Sequence, residues 1–151
     1  MISNLFRDEV TVRVSGIIMR DDTLLLIAHR KKNDIYWLLP GGGVRRGESL
    51  ADALRREFME ELGVAITVGA PAFMCDSIDP LGKRHILNIS FLCGHSGGEY
   101  RIGRERRLHD FGFFRRRDIS GLRIHPPVNA TLASVMDGKE HEFYLGSLWL
   151  K

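Results

Sequence analysis

The pattern of apolar and polar positions divides the first part of the chain into three strands and a glycine-rich segment. Apolar residues alternate and then run together over residues 10–19, and they return over residues 23–29 after a turn of two aspartates, which predicts a β-hairpin. A short apolar strand over residues 36–39 is stopped by a proline. The glycines at 41–43 follow, and we expect them to break regular structure and to let a ligand approach the backbone.

The most regular pattern in the chain predicts a helix between Leu50 and Leu62. Apolar residues recur there every four positions and mark one buried face. Ser49 is expected to cap the N-terminus, with Asp52 in the capping-box position three residues later. Gly63 is expected to end the helix.

The second half of the chain predicts further strands, one long loop and a second helix. The expected elements are strands at residues 64–68 (continued at 71–75), 86–93 and 111–115, a loop at 94–110 and a helix at 128–136. The aromatic and apolar tail at 143–150 is expected to pack on the rest of the chain. The fold class predicted is a single α+β domain over residues 1–151, with a mixed sheet and two helices.

Composition and charge narrow the class of protein without naming it. The chain has 151 residues, of which 44% are hydrophobic, and a net charge of +3, which permits an anionic ligand but does not demand one. No apolar run reaches the roughly 18 residues of a membrane-spanning helix, and the first ten residues lack the apolar core of a secretory signal. Cys75 and Cys93 stand apart in apolar stretches and predict reduced, buried thiols. We therefore expect a cytoplasmic protein without a membrane segment.

Acidic residues crowd the later turns of the predicted helix. Glu57, Glu60 and Glu61 are spaced so that they occupy neighbouring positions on one helical face. Their repulsion costs a few tenths of a kcal/mol per pair, and acids at a helix C-terminus also oppose the helix dipole. A divalent cation such as Mg²⁺, which prefers oxygen ligands, would explain the cluster. Taken alone, however, the acids favour a solvated acidic face.

The residues around these acids decide between the two interpretations. The pattern G-x5-E-x7-R-E-U-x-E-E-x-G-U is filled by Gly42, Glu48, Arg56, Glu57, Glu60, Glu61 and Gly63, with apolar Phe58 and Val64 at the U positions. This segment resembles the Nudix box, and every fixed position is present between residues 42 and 64. The resemblance implies a loop–helix–loop active site within an α/β/α sandwich around a mixed β-sheet.

The resemblance also implies a role for each conserved position of the motif. The metal-binding acids of the family, which hold Mg²⁺ or Mn²⁺, map onto Glu57, Glu60 and Glu61. Arg56 would hold Glu57 in place through a charge-assisted hydrogen bond. Glu48 would brace the loop or reach an additional metal ion, and Gly42 would let the backbone approach the metal or the phosphates.

The reaction implied by the resemblance is attack of water at phosphorus in a phosphoanhydride bond of a nucleoside-diphosphate-linked small molecule. A carboxylate takes the proton from the water, and Glu57 and Glu61 are the candidates within the motif. Glu99 and Glu105, in the expected loop, are candidates for a distal base. Because Glu105 stands among arginines, a surface ion pair is its favoured interpretation.

Two other functions stay open at this stage. One is a non-catalytic Nudix-fold module that binds a nucleotide to regulate a partner, although such modules usually lose the box acids that this chain keeps. The other is an RNA 5′ pyrophosphohydrolase. The arginine runs at 101–107 and 115–117 contain few aromatics, so we do not expect nucleic acid as a partner. The oligomeric state also stays open, because the tail at 143–150 either packs across the interface of a homodimer or covers the core.

Overall fold

The structure is a computed structural model that describes residues 9–151, so the expectation about a secretory signal lies largely outside the described residues. Those residues form nine strands and three helices. The strands are β1 (Thr11–Ile17), β2 (Met19–Arg20), β3 (Thr23–Lys31), β4 (Asp34–Leu38), β5 (Gly41–Gly43), β6 (Ala65–Ile78), β7 (His85–Gly97), β8 (Leu108–Arg115) and β9 (Tyr144–Ser147). The helices are α1 (Leu50–Leu62), α2 (Arg116–Ile119) and α3 (Asn129–Met136).

The strands form two sheets. The larger has the order β5-β1-β7-β6-β9 and is mixed, because β1 lies parallel to β7 and β6 parallel to β9 while the remaining pairs are antiparallel. In the second sheet, β3 pairs antiparallel with β2, β4 and β8. The predicted mixed sheet is therefore present, together with an antiparallel sheet that contains the predicted hairpin.

Two apolar clusters place the main helices on opposite sides of the mixed sheet. Val14 of β1 packs in the cluster that contains the buried face of α1. Ile17, an odd number of residues along the same strand, packs in the cluster that contains Leu132 of α3. Because successive side chains of a strand point to opposite faces, α1 and α3 cover opposite faces of β1. This is the layered arrangement that the resemblance to the Nudix box implied.

Helix α1 has the bounds predicted from its apolar periodicity. The hydroxyl of Ser49 accepts a hydrogen bond from the Asp52 N–H at 3.1 Å, and Gly63 ends the helix with φ of 68°, a left-handed conformation that favours glycine. The capping box is only half formed, because the Asp52 carboxylate pairs with Arg55 at 3.0 Å. The predicted cap residues are confirmed, and the reciprocal bond from Asp52 is not.

Several predicted boundaries are wrong for identifiable reasons. The glycines of β5 do not break regular structure but pair with β1, since a ladder needs backbone groups and no side chains. For the same reason β7 continues to Gly97 opposite Ala65, which shortens the predicted loop. Strand β6 is continuous across the interruption predicted between residues 68 and 71, because its pairing with β7 shifts register there. The first predicted strand is divided at Ile18, and α2 was not predicted.

The C-terminal tail covers part of the core. Strand β9 pairs with β6, and Leu145 and Leu148 pack in the α3 cluster. Of the two cysteines, Cys75 is buried as predicted but Cys93 is only half-buried, and both are free thiols. No helix among residues 9–151 combines the length and the apolar composition needed to cross a membrane.

Candidate active site

The glycine strand β5 lies against the later turns of α1 and brings backbone and carboxylates together. The Gly41 N–H donates a hydrogen bond to Oε1 of Glu61 at 2.8 Å. A Cβ atom on Gly42 would lie 2.3 Å from Cδ of Glu57, so a side chain at this position would displace that carboxylate. At Gly43, by contrast, a Cβ atom would meet nothing within 4 Å. The close approach is therefore confined to the glycines that face the acids.

Glu61 is a buried carboxylate, with 2% of its surface exposed. Burial raises its pKa to about 8, and the charges of Glu105 and Glu60 add to this effect while Arg13 and the Gly41 N–H oppose it. His29 Nε2 lies 4.0 Å from Oε2 of Glu61, too far for a hydrogen bond, and has no other hydrogen-bond partner among the described residues. The buried acid thus faces a partly buried imidazole whose Nε2 atom is buried without a hydrogen-bond partner among the described residues.

Arg56 joins the acids of the motif in one network. Its Nε and Nη2 donate to the two carboxylate oxygens of Glu48 at 2.7 and 2.8 Å, and its Nη1 donates to Oε1 of Glu57 at 2.8 Å. The same Nη1 approaches Oε2 of Glu60 at 3.4 Å, and Nη2 donates to the Gly43 carbonyl at 3.0 Å. The hydrogen bond expected between Arg56 and Glu57 is therefore present, and Glu48 braces the arginine.

The pKa values in this network reflect their surroundings. Hydrogen bonds from the Arg56 guanidinium and from the Arg45 N–H lower the pKa of Glu48 to about 2. Burial raises the pKa of Glu57, and the hydrogen bond from Arg56 opposes that shift. Glu60 is half exposed and lies near Arg45, at 3.9 Å. The exposure of the α1 carboxylates therefore increases from Glu61 through Glu57 to Glu60.

The donor set of these acids suits a hard divalent cation. Within residues 9–151 no three acidic, histidine or cysteine side chains already stand together as a metal cage, because the carboxylates of Glu57 and Glu60 point toward Arg56. Mg²⁺ does not require such a cage, since it keeps several waters and binds one or two carboxylates together with substrate phosphates. Burial disfavours the ionised form of Glu61, and a cation bound beside it would offset that effect.

The segment at residues 98–107 caps the C-terminus of α1. The Arg101 N–H donates to the Leu62 carbonyl at 3.0 Å, and the Gly103 N–H donates to the Glu61 carbonyl at 2.7 Å. A Cβ atom on Gly103 would lie 2.0 Å from the Glu60 carbonyl oxygen, so the backbone of the segment rests directly on the helix end. These contacts satisfy carbonyl groups that a helix terminus leaves unpaired.

This capping segment brings Glu105, but not Glu99, toward the acids. The charge of Glu105 contributes to the raised pKa of Glu61. Among the described residues no basic group lies within 4.0 Å of the Glu105 carboxylate, so the interpretation as a surface ion pair is wrong. Glu99 instead lines a separate cavity of about 630 Å³ beside Met19 and Phe113.

A second cavity, of about 160 Å³, adjoins the acids and was not predicted. We call it the arginine cavity; its polar lining residues are Arg13, His29, Tyr36, Arg84, Asn88, Arg107 and His125. His29 connects it to the acids, since it also faces Glu61. Tyr36 stands edge-on to both histidines, at ring-centroid distances of 5.8 and 6.0 Å. Burial, followed by the charge of Arg13, lowers the pKa of each histidine to about 4.

This cavity could not be predicted from local sequence, because six separated segments supply its lining. The one local signal is Arg13, a charged residue inside an otherwise apolar strand. Of two neighbouring aromatics in β4, Tyr36 lines the cavity, whereas Trp37 packs against Phe114 with ring centroids 4.6 Å apart.

A family model described as the NUDIX domain matches residues 10–135. The chain therefore belongs to the Nudix family. Solved structures agree: a MutT Nudix hydrolase from Burkholderia pseudomallei has a TM-score of 0.73 and 28% identity, covering 84% of this chain and 98% of that one. A Nudix hydrolase from Nitrosomonas europaea has a TM-score of 0.76 and 19% identity, with coverage of 88% and 93%. The predicted fold class is confirmed.

Curated relatives bear three kinds of name. The ADP-ribose pyrophosphatase of Methanocaldococcus jannaschii is 34% identical over 103 residues, which cover 66% of this chain and 60% of that protein. A MutT-like protein of Streptomyces ambofaciens is 33% identical over 63% of this chain and 58% of its own length. The nucleoside triphosphatase NudI of Escherichia coli is 28% identical over 79% of this chain and 92% of its own length. The chain thus spans about 60% of the length of the first two relatives.

Proposed function

We propose that this chain is a metal-dependent hydrolase that cleaves a phosphoanhydride bond in a nucleoside-diphosphate-linked small molecule by attack of water at phosphorus. The observation that carries the proposal is the buried Glu61 carboxylate, held by the Gly41 N–H next to the close contact between Gly42 and Glu57. A solvated acidic face would not bury this carboxyl, so its burial supports a ligand site. The arrangement belongs to a motif with all its fixed positions present.

The cofactor we propose is Mg²⁺ or Mn²⁺. Glu57, Glu60 and Glu61 would hold it: the Glu57 and Glu61 carboxylates lie against the β5 backbone, and Glu60 shares Nη1 of Arg56 with Glu57. When bound, such a cation polarises phosphate oxygens and stabilises the leaving phosphate. Its positive charge also favours the ionised form of Glu61, whose pKa burial otherwise raises.

The remaining residues of the motif position these acids and accept a proton. Glu48 fixes Arg56 through two hydrogen bonds, and Arg56 in turn fixes Glu57. The proton of the attacking water passes to a carboxylate, for which Glu57, Glu61 and Glu105 are the candidates. Glu105 is the candidate that lies outside the motif, and its charge is felt at Glu61.

The substrates to test follow from the relatives. One is named for ADP-ribose and another for nucleoside triphosphates. These compounds share a diphosphate unit attached to a nucleoside and differ in what lies beyond it. We propose the shared unit as the substrate class, with a released nucleoside monophosphate as the diagnostic product.

The proposal is tested by product formation from nucleoside triphosphates, ADP-ribose, nucleotide sugars and diadenosine polyphosphates, each with Mg²⁺, with Mn²⁺ and with chelator. Glu61→Gln removes the buried charge at nearly constant size, and Glu142→Gln is the matched control on the exposed surface. We expect metal-dependent release of a nucleoside monophosphate by the wild type and the control, and its loss in Glu61→Gln.

Two other results would contradict the proposal. Binding of metal and nucleotide without turnover of any compound would favour the non-catalytic regulatory module. Turnover that persists in chelator, or that is unaffected by Glu61→Gln, would show that the α1 acids take no part in the reaction.

A further inference from the structure

The arginine cavity is lined by three arginines that have no carboxylate within 4.0 Å among the described residues, although the charge of Glu61 acts on Arg13 from further away. Arg13, Arg84 and Arg107 all line it. The arginines of residues 9–151 that do have a carboxylate within 4.0 Å are Arg45, Arg55, Arg56, Arg116 and Arg123. The three cavity guanidinium groups donate one hydrogen bond to the described residues, from Arg13 Nη2 to the Leu39 carbonyl at 2.9 Å. Most of their donors are therefore free to bind a ligand.

The other polar groups of the cavity add no negative charge. Asn88 is buried and donates to Ser77 at 2.9 Å, and Tyr36 offers a neutral hydroxyl. His125, whose pKa is lowered in part by Arg13 and Arg84, is neutral at pH 7. The cavity thus combines three cations with neutral hydrogen-bonding groups, which is the chemistry of an anion site.

Resting on the proposed function, we infer that the arginine cavity binds an additional phosphoryl group of the substrate, beyond the two phosphates that share the scissile bond. Guanidinium forks match phosphate oxygens in pairs, so three of them select this group over a neutral sugar or base. At about 160 Å³ the cavity is smaller than a typical pocket for a whole ligand and suits one substituent of it. His29 lines the cavity and also faces Glu61, so a substituent bound in the cavity would lie next to the reacting diphosphate.

The additional phosphoryl group has two chemical sources, which a binding experiment distinguishes. It is either the terminal phosphate of a longer polyphosphate chain or a phosphomonoester on the ribose. We would titrate the protein in chelator with AMP, ADP, ATP, adenosine 2′,5′-bisphosphate and adenosine 3′,5′-bisphosphate by calorimetry. The variant is Arg84→Gln/Arg107→Gln, since both residues are exposed and their loss spares the core.

The matched control removes the same charge elsewhere. Arg115→Gln/Arg117→Gln lies away from the cavity, because Arg115 pairs with Thr23 at the opposite end of β3 from His29. We expect at least one compound to bind about tenfold or more tightly than its counterpart with one phosphate fewer, as charge-assisted hydrogen bonds allow. Arg84→Gln/Arg107→Gln should abolish that gain, and the control should keep it. A gain for ATP over ADP indicates a polyphosphate, and a gain for a bisphosphate over AMP indicates a ribose phosphate.

Three results would overturn the inference: no gain from the additional phosphate, a gain that survives in Arg84→Gln/Arg107→Gln, or an equal loss in the control. Because the titration is done without metal, it does not depend on turnover. A positive titration together with failure of the turnover panel would reject the hydrolase proposal alone.

Discussion

The acidic face of α1 and the arginine cavity meet at Glu61 and His29 but are assembled in opposite ways. The acids, the glycines that approach them and the arginine that orders them lie within residues 41–61. The lining of the cavity comes from β1, β3, β4, β7 and the segments before β7, β8 and α3. A contiguous motif thus carries the proposed bond chemistry, while recognition depends on the packing of two sheets.

The positions of the side chains are therefore determined in different ways in the two regions. Within the motif, backbone geometry fixes the relative positions of the acids, so residue type and spacing are informative by themselves. In the cavity, each side chain is positioned by a different strand or loop, so its neighbours are set by tertiary structure. Variants in the two regions should therefore have different effects on turnover and on substrate preference.

The largest effect is expected from Gly42→Ala, which tests whether backbone approach positions the acids. The new Cβ would lie 2.3 Å from Cδ of Glu57, so the carboxylate must move. A displacement on the order of 1 Å lowers the rate about 100-fold, and we expect a loss of that size in kcat. Gly43→Ala is the control, since its Cβ meets nothing within 4 Å. Equal rates in the two variants would refute the positioning role of Gly42.

Gly103→Ala tests whether the capping segment links the two regions. Its Cβ would lie 2.0 Å from the Glu60 carbonyl oxygen, and we expect a loss of about 1–3 kcal/mol in the free energy of unfolding, as overpacking costs. Because Glu105 and Arg107 follow in the same segment, kcat/KM should fall as well. Gly97→Ala, whose Cβ comes no closer than 3.9 Å to Ala65, is the control in both assays. If Gly103→Ala leaves both the free energy of unfolding and kcat/KM unchanged, the capping segment is not held on the helix.

Ser49→Ala separates the stability of α1 from its chemistry. Loss of the bond to the Asp52 N–H should lower the free energy of unfolding by about 1 kcal/mol, the usual value for an N-cap. The acids lie two turns or more away, so kcat should stay close to that of the wild type. Denaturant unfolding and initial rates, with Ser96→Ala as an exposed control, measure both quantities. A large loss of kcat at unchanged stability would mean that Ser49 contacts the substrate.

The smallest effect concerns the pH dependence of stability at His125. Its pKa is lowered from 6.5 to about 4 in the folded chain, mainly by burial. Between these values the unfolded chain binds more protons, so stability is full above pH 6.5 and falls as the pH is lowered toward 4. His125→Gln should therefore lose less stability than the wild type between pH 7.5 and pH 4.5 in urea unfolding. His109→Gln, at an exposed position, should keep the wild-type slope; an unchanged slope in His125→Gln would contradict the assignment.

The parts of the fold that could be predicted depend on local geometry. The period of α1, its cap at Ser49 and its stop at Gly63 follow from short-range contacts, and the structure confirms them. The strand formed by the glycines of β5 could not be predicted, because its hydrogen bonds are made with β1 about 28 residues earlier.

The site shows the same limit. The acids of α1 could be found from spacing and from the motif. Arg84 and Arg107 stand in polar turns where an arginine normally faces solvent, so neither marks a cavity in the sequence. The interpretation of Glu105 as an ion-paired residue failed because the arginines next to it in sequence do not bring a guanidinium group within 4.0 Å of its carboxylate.

If the acids of α1 bind a divalent cation, the protein should bind Mn²⁺, which is measured from the loss of the paramagnetic signal of the free ion. The wild type, Glu57→Gln, Glu61→Gln and Glu142→Gln would be compared without substrate. We expect binding by the wild type and by Glu142→Gln, and an affinity about tenfold or more lower in the two α1 variants. Equal Mn²⁺ affinity in all four proteins, or no binding by the wild type, would show that the acids of α1 do not form a cation site.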